Sequence, residues 1–183
     1  MALTTMIADG GNVYGDRVIP GSLKLIGVQG SGATRDKVNG TAEIVKPSYS
    51  TSGHLNVGLY RQSLETVNLT GEDASNYSIS YTTERANYKV SPKVINLEGS
   101  RPYDGTVNFD ASFFGDNGII AGVGSETLIL IGTATVTSPN IDSGRQPLIL
   151  GTLRLSDGAN GGKATNYTLE GGSHFGTIKG NKP

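Results

Sequence analysis

Apolar and polar positions along this chain alternate in short runs and almost never recur at helical spacing. No window of roughly eleven or more residues carries apolar positions at i, i+3, i+4 and i+7 with capping residues at its ends. Strand-like segments are frequent instead. In the first half they fall at 22–28, 40–46, 64–69, 77–81 and 87–90. In the second they fall at 93–97, 107–114, 127–137, 148–155, 167–170 and 175–179. Turn-forming clusters such as Gln29-Gly30-Ser31-Gly32 and Ser138-Pro139-Asn140 separate them. Short strands divided by turn chemistry predict an all-β fold of the sandwich or barrel kind. Leu128-Ile129-Leu130-Ile131 is apolar throughout, so it is expected to be a strand covered on both faces or a contact with another domain.

The pattern also repeats. Tyr14-Gly15-Asp16 returns as Tyr103-Asp104-Gly105, and Gly40-Thr41-Ala42 as Gly132-Thr133-Ala134. Ser52-Gly53 returns as Ser143-Gly144, and Asn76-Tyr77-Ser78 as Asn166-Tyr167-Thr168. The offsets are 89, 92, 91 and 90 residues, in the same order. Such a period suits a whole small domain better than a solenoid turn or a propeller blade. Two domains are therefore expected, 1–91 and 92–183. Pro92 restricts its own φ and pushes Ser91 toward extended backbone, so the joint is expected to be short and stiff. That predicts an elongated head-to-tail arrangement. The second copy is longer near its end, and the extra residues at 157–165 read as a protruding loop.

Composition narrows the function. Gly accounts for 27 of 183 residues, which fits many turns around thin cores. Residues 1–91 carry 8 Lys/Arg against 8 Asp/Glu and residues 92–183 carry 7 against 8, so the net charge is −1. Without a basic patch, an electrostatic grip on nucleic acid is not expected. The absence of cysteine excludes disulfides and thiolate metal sites. Neither a signal-peptide pattern nor a membrane-spanning run is visible, so no membrane insertion is expected and any export signal should lie outside these residues.

Candidate chemistry is sparse. His54 and His174 fall in different halves at non-equivalent positions and read as surface loop residues. Gly158-Ala159-Asn160-Gly161-Gly162-Lys163-Ala164 is one residue short of a phosphate-binding loop and lacks its magnesium hydroxyl. Glu72-Asp73 and Asp157 with Asn160 lack the spacing of a calcium loop and read as turn carboxylates. No catalytic residue, metal or cofactor is expected. Asp104 suits an Asx turn with Gly105 at positive φ and the Tyr103 ring buried beneath it. Tyr77 and Tyr167 suit strand starts whose hydroxyls reach backbone, as in a tyrosine corner. Asn39, Asn68, Asn76 and Asn166 begin glycosylation sequons.

The second half resembles the YDG repeat of large bacterial filamentous-haemagglutinin-like adhesins. The matching residues are Tyr103-Asp104-Gly105-Thr106, Gly132-Thr133-Ala134, Asn166-Tyr167-Thr168-Leu169 and Gly176-Thr177-Ile178. The first half is similar to the related MBG-type immunoglobulin-like repeat through Tyr14-Gly15-Asp16, Asn76-Tyr77-Ser78-Ile79 and Val90-Ser91-Pro92-Lys93. It departs in the order of its Tyr-Gly-Asp, and the second copy lacks the Pro-Lys exit. The resemblance implies two tandem Ig-like β-sandwich domains in the stalk of an extracellular, cell-surface or biofilm-matrix protein, exported by two-partner secretion and behaving as a monomer. The alternative expectation is a module that binds an extracellular polysaccharide or another adhesin chain through Asp157, Asn160 and Lys163.

Overall fold

A computed structural model of the chain describes residues 1–83 and 85–180. Its regular structure is β-strand, interrupted among the described residues by six three-residue 3-10 turns. No helix there is long and apolar enough to cross a membrane. The chain divides into two units, Met1–Ser48 with Leu55–Ser91, and Tyr49–His54 with Pro92–Pro183.

In the first unit, Ala2–Ile7 points Leu3, Thr5 and Ile7 inward and leaves Ala2 and Met6 exposed, the period of two expected of a one-sided strand. It pairs antiparallel with Leu23–Ile26 and parallel with Ser78–Thr83. The backbone then kinks at Ala8-Asp9 and resumes as Gly10–Val13, parallel to Ala86–Ser91, which is antiparallel to Gly58–Ser63. Backbone groups freed at the kink cannot be left dry, and amide side chains take them. The buried Gln62 donates to Ala8 O at 3.0 Å and accepts from Gly21 N–H at 2.7 Å, while Asn87 donates to Ile7 O at 3.1 Å. Ile7, Ala42 and Leu64 form a core with Leu23, Leu25, Leu69 and Ile79 packed against it.

The second unit repeats this pairing scheme. Lys93–Val94 runs parallel to Tyr167–Thr168, the chain kinks at Ile95-Asn96, and Leu97–Pro102 runs parallel to His174–Lys179. That last strand is antiparallel to Arg145–Pro147. Phe109, Phe114, Leu128 and Ile178 are among its most deeply buried side chains, with the Phe109 and Phe114 rings 6.0 Å apart. A Cβ on Gly99 would stand 2.6 Å from the Phe114 ring, so this inward position admits only glycine without repacking.

Several expectations need correction. Thr127–Ile131 is the middle strand of a three-stranded sheet, but only Leu128 and Leu130 are buried; Ile129 is 44% exposed. An apolar run is thus covered on one face. Gly132, at φ +97°, separates it from Thr133–Thr135. The strand expected at 64–69 is instead Gly58–Ser63 followed by the 3-10 turn Thr66–Asn68, and Ala2–Ile7 and Gly10–Val13 were not foreseen.

Candidate functional site

The chain turns at Tyr103–Thr106 around a cation that sequence reading passed over. Arg101 points inward from Leu97–Pro102 and its side chain is almost wholly buried. A buried guanidinium must have its donors met and its charge offset. Its Nε donates to Asn108 O at 2.6 Å, one terminal nitrogen to Pro102 O at 2.9 Å, and the other to Thr106 O at 2.8 Å. The Asp104 carboxylate lies 3.1 Å away and the guanidinium carbon sits 4.8 Å from the Phe109 ring centre. Asp104 also accepts from the Thr106 amide at 2.8 Å and its hydroxyl at 2.7 Å, which is the expected Asx turn. Those two Thr106 bonds, assisted by Arg101, hold the Asp104 carboxyl below the usual aspartate range. Gly105 occupies φ +77°, as the turn requires.

Tyr103 is not buried beneath this turn, although its hydroxyl lies 3.8 Å from where a Gly105 Cβ would stand. Its ring is 56% exposed, whereas Tyr14 is fully buried. The backbones do correspond: Tyr14 N–H donates to Ser91 O at 2.8 Å and Tyr103 N–H to Lys179 O at 2.9 Å. In the second unit the inward place belongs to Arg101 and Phe109, and the tyrosine faces outward.

Tyr77 and Tyr167 follow the expectation and extend it. Each is buried and begins after a 3-10 turn, Ala74–Asn76 or Ala164–Asn166. The Tyr77 hydroxyl accepts from Gln29 N–H at 2.9 Å and donates to Asp36 at 2.6 Å. The Tyr167 hydroxyl accepts from Val123 N–H at 2.8 Å and donates to Glu126 at 2.9 Å. The carboxylate partners were not anticipated. Burial first, then Asp36, pushes the Tyr77 hydroxyl above its ordinary value. Glu126 is 1% exposed and also accepts from the Ser52 hydroxyl. Asn166 is buried, so its sequon is closed to a glycan in the folded state.

Of the residues expected to bind through 157–165, Asp157 and Lys163 are bonded within that region and Asn160 to the neighbouring Ser125. Lys163 Nζ lies 3.4 Å from Asp157, whose other oxygen accepts from Ala164 N–H at 2.8 Å. The Ala164 amide, followed by Lys163, holds the Asp157 carboxyl low. Asn160, at φ +57°, donates to Ser125 O at 3.0 Å. Gly158 and Gly162 press so closely on Thr127 O that a Cβ on either would approach within 2.0 and 1.9 Å. The segment is folded back on the strand at Thr127, and it does not protrude.

The histidines do not converge. His174 lies in the last strand and serves the kink at Ile95-Asn96. Its Nδ1 accepts from Leu97 N–H at 3.1 Å and its Nε2 bonds Leu169 O at 2.7 Å. The expectation of a surface loop residue fails there. His54 is half-buried, with its amide donating to the Ser50 hydroxyl at 3.2 Å. Among the described residues no three His, Asp or Glu side chains are grouped to hold a metal.

A cleft of about 440 Å³ opens beside the Tyr103 turn, lined by Tyr103, Asn140, Ile141, Asp142 and Gly180. The loop carrying three of these is anchored by the buried Gln146, which accepts from Ser138 N–H and donates to Ser138 O, both at 2.9 Å.

Residues 86–174 match the YDG domain, so the likeness of the second half to that domain holds. No curated protein and no solved structure matches the chain.

Proposed function

We propose that the chain is a structural stalk module of a large bacterial cell-surface or biofilm-matrix adhesin, non-catalytic and extracellular. In this reading each unit is an Ig-like sandwich, the two are tandem copies of one repeat, and they are joined end to end to space or present an adhesive region. The observation that carries it is the pairing of first and last strands. In each unit they lie side by side in parallel, Ala2 to Val13 against Ser78 to Ser91, and Lys93 to Pro102 against Tyr167 to Lys179. A parallel pair puts the point where the chain enters at one end of the unit and the point where it leaves at the other. For the first unit that separation is up to about 40 Å at about 3.3 Å per residue.

Units of this kind add length whenever they are strung together, which a stalk needs. One residue, Pro92, separates Ala86–Ser91 from Lys93–Val94. Tension would also load the parallel pairs in shear, along many hydrogen bonds at once. Small-angle X-ray scattering on the purified chain tests the reading. A maximum dimension near twice that of a single unit is expected; the profile of one compact 183-residue globule would sink it.

A further inference from the structure

We infer that the cleft between the Tyr103 turn and the 140–142 loop binds a neutral saccharide. This goes beyond the stalk reading and does not depend on it. The volume, about 440 Å³, falls within the roughly 300–1,000 Å³ typical of small-molecule clefts. Its chemistry has two parts. The Tyr103 ring and the Ile141 side chain, 56% and 45% exposed, offer apolar surface to the C–H face of a pyranose. The Tyr103 hydroxyl, the Asn140 amide and the Asp142 carboxylate supply donors and acceptors for ring hydroxyls. These three side chains make no hydrogen bond or ion pair among the described residues, unlike Asp157, Asn160 and Lys163. Among the described residues the cleft is lined by no cationic side chain and by one carboxylate, Asp142, which disfavours phosphate, sulfate and uronate ligands.

The walls are held in advance of any ligand. Arg101 clamps Pro102 O, Asp104 and Thr106 O on either side of Tyr103, and Tyr103 N–H is bonded to Lys179 O. Gln146 fixes the opposite loop through Ser138. Preformed walls lower the ordering cost of binding. The comparison within the chain points the same way. At the corresponding backbone position Tyr14 is a core residue, while the Tyr103 turn spends a buried arginine on an outward-facing ring.

The test is a screen of the intact chain against an array of neutral and acidic oligosaccharides. Hits are then titrated by NMR and calorimetry with wild type, Tyr103→Ala, Asp142→Ala and the control Asp157→Ala. Tyr103 and Asp142 are exposed, so both variants should keep the native spectrum, which circular dichroism checks. At least one neutral saccharide is expected to bind, shifting the Tyr103, Asn140 and Ile141 resonances. Tyr103→Ala should weaken it at least tenfold and Asp142→Ala at least threefold, with Asp157→Ala unchanged. Failure of every neutral saccharide, binding confined to sulfated or sialylated glycans, or hits unaffected by Tyr103→Ala would each overturn the inference. None of these outcomes bears on the scattering profile, so the stalk reading fails or survives separately.

Discussion

The Tyr167 hydroxyl donates to the Glu126 carboxylate at 2.9 Å inside the second unit, where neither side chain is more than 5% exposed. The same oxygen accepts from Val123 N–H at 2.8 Å, so one phenol joins the start of a late strand to a loop 41 residues earlier. Tyr77 does the same in the first unit with Gln29 and Asp36. Removing the hydroxyl would take one hydrogen-bond partner from the buried Glu126 carboxylate and one from the half-buried Val123 amide. Tyr167→Phe is therefore expected to cost about 1–3 kcal/mol, the range for unsatisfied buried partners. Denaturant unfolding followed in the second unit measures it. A variant as stable as wild type would mean that water replaces the hydroxyl.

Arg101 makes a sharper case. Its guanidinium serves the carbonyls of Pro102, Thr106 and Asn108 and the Asp104 carboxylate. An ammonium could not reach all four in the same plane. Arg101→Lys should destabilise the second unit by about 2 kcal/mol, since a cation at this buried position loses part of its hydrogen bonding. Proteolysis inside 102–108 should accelerate in step. If lysine restored full stability, the planar fork would not be what organises the turn.

How much of this was legible in the chain follows from which interactions are local. Asp104 could be read because an Asx turn involves residues two apart, and Tyr77 and Tyr167 because the Asn-Tyr landmark recurs at strand starts. The all-β class was legible from the short alternating runs, the missing helical spacing and the turn clusters between them. Arg101 was not, because an arginine beside Pro102 and Asp104 reads as a solvated loop; its burial depends on Phe109 and on three carbonyls downstream. The strand Ala2–Ile7 was missed for a similar reason. One of its two partners, Ser78–Thr83, is more than 70 residues away, and a parallel pair leaves no nearby turn signal. Turn chemistry at Asp104 and Gly105 led to the right turn, but the Tyr103 ring expected to be buried beneath it is exposed. The cleft was invisible because Tyr103 and Asn140, far apart in the chain, come to line it together, and the loop at 157–165 drew attention by length while Asp157 and Lys163 pair with each other and Asn160 with Ser125.

The two units should respond to opposite extremes of pH. Asp104, Asp110 and Asp157 of the second unit are held low by bonds from Thr106, Ser112 and Ala164 respectively. A carboxyl whose folded value lies below its unfolded value stabilises fully above about pH 3.9 and loses that contribution as pH falls through the folded value. Tyr77 of the first unit is held high, so its unfolded form ionises first, and stability falls as pH rises above about 10. Unfolding midpoints by unit-specific probes at pH 3, 7 and 10.5 should show acid weakening the second unit and alkali the first. Asp104→Asn should flatten part of the acid slope. A second unit equally stable at pH 3 and pH 7 would contradict the assignment.

His174 offers the last prediction, and it bears on whether any histidine here could act as a base. Nδ1 faces the Leu97 amide at 3.1 Å and can only accept from it, so Nε2 must carry the proton and donate it to Leu169 O at 2.7 Å. The ring thereby fills the backbone gap opened by the kink at Ile95-Asn96, where Asn96 accepts from Ser173 N–H at 2.9 Å. In the first unit Gln62 and Asn87 do the equivalent work at Ala8-Asp9. A histidine engaged at both nitrogens by backbone cannot take a proton from a substrate without first releasing the Leu97 amide. Nitrogen-15 NMR at neutral pH should therefore show a single Nε2–H tautomer, with the Leu97 amide strongly protected from hydrogen exchange. His174→Phe should expose that amide to exchange and destabilise the second unit by about 1–2 kcal/mol, the cost of leaving buried backbone groups unpaired. His174→Gln, able to accept and donate once each, should recover part of the loss. A mixed tautomer population, or a Leu97 amide that exchanges freely in wild type, would remove His174 from this structural role.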